Sequence, residues 1–189
     1  MSLSFPLTFP SVGITRFDLR YRKSVAVSES PFTYAQQVHD FGGGRWEAEV
    51  SLVPLTFAEA RSVDAFFIGL EGRKGTFLMG HPLHTASGSA DVDNESIGAF
   101  NIDLDGASAF EAGTYFSIAN HLYMMTSAKA SGSNQSVEIQ PPLRTDTTTD
   151  TSLDFTNPLG TWRLSTSEVN TYTDVNGLFH YSFACTEAF

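Results

Sequence analysis

The chain has 189 residues, 41% apolar and 17% charged, which is enough for one well-buried domain or two small ones. Eleven Lys and Arg against 21 Asp and Glu leave a formal net charge of -10, which excludes a surface built mainly to grip nucleic-acid phosphates. One cysteine, Cys185, excludes an internal disulfide framework and an all-cysteine metal site.

Sixteen Phe, six Tyr and two Trp point to a mainly β chain, because aromatic side chains suit a pleated, half-buried surface. The N-terminal "MSLSFPLTFPSVG" has no early cation and no unbroken apolar run, so no signal peptide is expected. No segment reaches the roughly 20 apolar residues of a membrane helix, and a soluble protein without membrane insertion is expected.

From Pro6 to Phe41, short apolar segments broken by Pro, Gly and Ser predict strands, with Ile14, Phe17, Leu19 and Tyr21 in imperfect alternation. A Gly-rich turn, Gly42 to Gly44, then leads into a strand with one buried face: Trp46, Ala48, Val50 and Leu52 alternate with Glu47, Glu49 and Ser51. One helix is predicted, over about 57 to 70. Thr56 and Glu59 form a capping box, Val63, Phe66, Phe67 and Leu70 recur at helical spacing, and Gly72 supplies the stop.

A short strand, "GTFLMG", follows, and residues 85 to 101 are rich in Ser, Gly, Asp and Asn, as at a junction. Four or five short strands are then predicted: Ile102 and Leu104 alternate with aspartates, a pair flanks Ala119-Asn120, and "QSVEIQPPL" is the last. "TDTTTDTSLDF" reads as a linker or surface loop. "TWRLSTSEVNTYTD" and "LFHYSFACTEAF" read as two strands around a Val175-Asn176-Gly177 turn, with Cys185 packed as a small apolar residue.

Several stretches imitate chemistry. "LEGRKGTFLMG" has the glycines and lysine of a phosphate loop, but Lys74 precedes Gly75 and the segment leaves a helix to enter a strand, the reverse of the required order. A glycine-enabled turn with exposed Arg73 and Lys74 is the expected reading. "DVDNESIG", Asp91 to Gly98, has alternating carboxylates but Ser96 and Ile102 where a calcium loop needs Gly and Glu; a weak calcium site near Asp91 to Glu95 is the alternative to a solvated loop. "HPLH" offers His81 and His84 without a third ligand nearby, and no metal or other cofactor is expected. There is no nucleophile elbow, and the pairs Glu47 with Glu49 and Asp103 with Asp105 look like polar strand faces, so no catalytic residue is expected. A hydrolase using Glu47 or Asp105 remains the distant alternative. Tyr115, Phe116, His121 and Tyr123 would suit either a sugar-binding platform or a core.

The order of segments carries more information than any one motif. A Phe-Pro start, a Gly-rich turn into "RWEAEVSLVPL", the capped "TFAEARSVDAFFIGLEG", "RKGTFLMGHP", a strand block with "AGTYFSIANHLYMM" and "VEIQPPLR", and a closing aromatic strand resemble the distal tail and tail-hub structural proteins of long-tailed bacteriophages. The resemblance implies a β-sandwich-like first domain with one packed helix, residues 1–84 plus 146–189, and an inserted small β-barrel-like domain, residues 85–145. It implies a homo-oligomeric ring, a hexamer in that family, at the virion's tail tip, assembled in the host cytoplasm. Its partners would be itself, the tail tube, hub or baseplate proteins, and receptor-binding proteins or host glycans. Arg73 and Lys74 are then expected at a subunit contact. The alternatives are a carbohydrate-binding module or another tail component, such as a tube or completion protein.

Overall fold

The computed structural model describes residues 4–82, 86, 88–106, 110–131 and 134–189. In chain order its elements are β1 (Leu7–Thr8), β2 (Ile14–Glu29), β3 (Gln36–Leu52), α1 (Phe57–Gly69), β4 (Phe77–Gly80), β5 (Asp91–Val92), β6 (Asn101–Asp105), β7 (Tyr115–Ile118), β8 (His121–Ser131), β9 (Asn134–Gln140), β10 (Thr151–Ser152), β11 (Leu159–Leu164), β12 (Asn170–Thr173) and β13 (Phe179–Glu187). The protein is mainly β with one helix. That helix is too short to cross a membrane, as its 13 residues rise about 20 Å.

A seven-stranded mixed sheet runs β1-β4-β11-β13-β3-β2, with β12 pairing β13. Among the described residues, only β1 and β4 pair in parallel, Leu7 against Phe77. The alternation of β3 and β13 places Trp46, Ala48 and Val50 with Tyr181, Phe183 and Cys185 on the buried side, where α1 lies. Helix α1 begins as its capping box dictates: the Glu59 carboxylate accepts the Thr56 N–H at 2.9 Å and the Thr56 hydroxyl at 2.7 Å. Val63, Phe66, Phe67 and Leu70 are buried, and Phe66 and Phe67 meet Phe9, Phe77 and Phe183 mostly edge to face. Burial stabilises each such ring by about 2 kcal/mol.

The second sheet, β10-β5-β6-β9-β8-β7, is nearly closed into a small barrel. A bridge between Ser117 and Asp154 brings β7 towards the segment after β10. Its own core holds Ile102, Leu104, Phe116, Tyr123, Ile139 and Phe155. The β7–β8 turn at Ala119-Asn120 has φ values of 49° and 63°, the left-handed pair that a tight hairpin needs. Residues 146–155, expected to return to the first unit, stay with the second: β10 pairs β5, and Leu153 and Phe155 enter the second core. The threonines look like a linker but act locally, since the Thr147 hydroxyl donates to Asp93 O at 2.7 Å.

The structure corrects the sequence reading at two further places. The segment read as one strand from Trp162 onward is two, β11 and β12, on different stretches of β13. Gly42 to Gly44 do not form a turn. Strand β3 runs through them, with pairing passing from Lys23–Gly44 to Val25–Asp40 and leaving residue 24 and residues 41–43 as a bulge. Gly42 takes φ +72°, its N–H bonded to Asp40 Oδ1 at 2.8 Å, so the glycine bends the strand without ending it. The chain reverses at residues 30–35 instead, where Ser30 N–H donates to Ala35 O and Tyr34 N–H to Ser30 O.

Candidate functional site

Most of the motifs that imitate chemistry prove to be parts of the scaffold. In "LEGRKGTFLMG", Glu71 and Gly72 adopt left-handed φ values of 52° and 69° just past α1, and Gly75 N–H closes the turn on Leu70 O at 2.8 Å. A Cβ at residue 75 would sit 2.5 Å from Phe5 Cε1 and 2.7 Å from Leu70 O, so close packing requires glycine there. The carbonyls of Arg73 and Lys74 accept from Arg163 Nη1 at 2.8 and 3.3 Å. A phosphate cradle must present N–H groups, and this loop turns carbonyls towards a cation. Arg73 and Lys74 are exposed, with Lys74 paired to Glu71.

Glu47 takes Arg45 at 2.8 Å and Arg22 at 3.6 Å, and the Arg45 hydrogen bond holds its carboxyl below the usual range. Glu49 pairs with Arg20. Asp103 and Asp105 lie on the outer face of β6, whose inner face is Ile102 and Leu104. His81 sits between Tyr115, stacked at 5.1 Å, and the edge of Phe17; His84 lies outside the described residues. The Asp91 to Gly98 stretch is fastened to residues 146–149: Glu95 N–H donates to Thr147 Oγ1 at 2.9 Å and Ile97 N–H to Asp146 Oδ1 at 2.7 Å. Among the described residues, no three His, Cys, Asp or Glu side chains converge as metal ligands. Cys185 is buried, and burial pushes its thiol pKa up, away from a nucleophilic thiolate.

The aromatic platform does not exist at the surface. Phe116 and Tyr123 are fully buried and stacked at 5.5 Å inside the second core, while Tyr115 packs on Trp46. Their hydrophobic neighbours won them for the core, the bland alternative that their spacing had allowed.

Sequence reasoning missed a buried polar joint between the two sheets. Arg144 meets Glu187 through two bonds of 3.2 and 3.1 Å, and the same guanidinium donates to Gly44 O. Glu187 Oε2 also accepts the Trp46 N–H at 3.0 Å, and Tyr123 Oη accepts the Arg144 N–H at 2.9 Å. Tyr21 donates to Gln140 Oε1 at 2.7 Å beside it. The inward parity of the closing strand, with Glu187 continuing the buried Phe183-Cys185 face, is the signal that could have found it.

The feature with no internal role is the outer half of the β2–β3 ribbon. The first core takes Tyr21 from β2 and Trp46 from β3, and residues 22–44 contribute to neither core. Eight strand residues, 22 to 29, extend about 27 Å. Val27 (60% exposed) faces Val38 (62%) across the ribbon, and Phe32 (92%) and Tyr34 (74%) cap its tip. On the opposite face, His39 and Phe41 touch edge to face at 4.7 Å. At its root, Arg22, Lys23, Val25 and Arg45 line a groove of about 490 Å³ beside Phe189. A lone hairpin is marginal in water, and apolar residues on both faces and at the tip suit a ribbon that another molecule covers.

Comparison of the chain with protein-family models and with curated proteins gives no match.

Proposed function

We propose that this chain is a structural protein of a bacteriophage virion, placed at the distal end of a long tail, where copies form a ring joining the tail tube, the hub and the peripheral fibres. The observation that carries the reading is the outer half of the β2–β3 ribbon, residues 22–44, a long arm that takes part in neither core and exposes Val27, Phe32, Tyr34 and Val38. A ring subunit needs two different complementary patches, and an arm that reaches away from its own body supplies one of them. The segment order that resembles distal tail and hub proteins supports the same reading, as does a surface whose negative charge would not hold ejected DNA. Arg73 and Lys74, exposed at the joint after α1, are a further subunit contact in this proposal.

The test is location. Gold-labelled antibody against the chain, applied to particles released by cells that encode it, is expected to decorate the far end of the tail. Label over the head, or particles without label, contradicts the reading.

A further inference from the structure

The acidity of the chain is unevenly placed. Ten of its 21 carboxylates but only two of its 11 cations fall in residues 91–155. Among the described residues, none of those ten makes an ion pair. Asp91 and Asp105 stand directly opposite each other on β5 and β6. Like charges in direct cross-strand register destabilise a sheet.

The ribbon has the mirror arrangement. Arg22 and Arg45 stand directly opposite on β2 and β3 and share one carboxylate, Glu47.

Resting on the ring reading above, we propose that the ribbon of one copy docks on the β5–β6 face of the next copy. Arg22 and Arg45 meet Asp91 and Asp105. The two surfaces differ, so the contact is head to tail and leaves a joined pair with a free ribbon at one end and a free acidic face at the other, the arrangement that closes rings. Each like-charged pair gains partners of opposite sign, and a wrong pairing of ribbon with ribbon is repelled.

Light scattering on the full chain, with circular dichroism to check folding, tests this. Arg22→Glu with Arg45→Glu, and separately Asp91→Lys with Asp105→Lys, are each expected to weaken self-assembly about tenfold or more. The chain with all four changes is expected to regain it, because the charges are exchanged. An assembly indifferent to both reversals, or one that the fourfold variant fails to regain, overturns the docking while leaving the ring reading standing. A wild-type chain that stays a monomer at every concentration overturns both.

Discussion

Glu187 shows how one side chain ties the two sheets. Its carboxylate is 2% exposed and accepts from Arg144 and from the Trp46 backbone, so removing it leaves a guanidinium at 14% exposure without its counter-charge. Glu187→Ala is expected to lower unfolding stability by about 3 kcal/mol; an unchanged urea midpoint would show that solvent replaces the carboxylate at no cost. A second residue of the joint, Tyr123, sets an alkaline limit. Burial pushes its phenol from 10.0 up to about 12. Its folded pKa lies above its unfolded one, so its contribution is complete below about pH 10 and is lost as pH rises towards about 12. Tyr123→Phe is expected to flatten the fall in stability over that interval. Tyr21, Tyr115 and Tyr181 shift the same way, so the fall shrinks without vanishing. An identical pH profile for the variant would exclude this assignment.

At the scale of elements, the ribbon and the body separate cleanly in their contacts. Replacing residues 25–40 by a short turn is expected to leave the urea midpoint of the body within about 0.5 kcal/mol, since neither core loses a side chain, while self-assembly is lost. A large drop in stability would place the ribbon inside the folding unit. What could be read in advance follows from range. Helix α1 announces itself within seventeen residues, through Thr56, Glu59, the Phe66-Phe67 stripe and Gly72, and the Ala119-Asn120 hairpin does the same through its turn. The ribbon was hidden because Gly42 to Gly44 carry the composition of a turn but serve as a bulge, while the true reversal at residues 30–35 has no Asn-Gly signal. The joint of Arg144 and Glu187 was hidden for a different reason: its partners lie 43 positions apart, and only tertiary packing joins them. Tyr123 and Phe116 have the same composition in a core as on a platform, and only the closed sheet around them decides.

The whole molecule combines a mixed sheet, a small barrel segment whose ten carboxylates and two cations give -8 of the -10 net charge, and a projecting arm with a cationic root. Each part makes sense in an assembly. The Trp46 indole donates to Leu122 O at 2.9 Å, and Leu122 packs in the first core, so the barrel is held against the sheet and not hung from a tether. The acidic barrel face is therefore held in place relative to the sheet, which is what repeated copies need to close on themselves. The most direct test is electron microscopy of the purified full chain at assembling concentration, read as class averages. The account predicts closed rings with an open centre and a constant number of copies; single-copy particles, or open filaments of indefinite length, would contradict it.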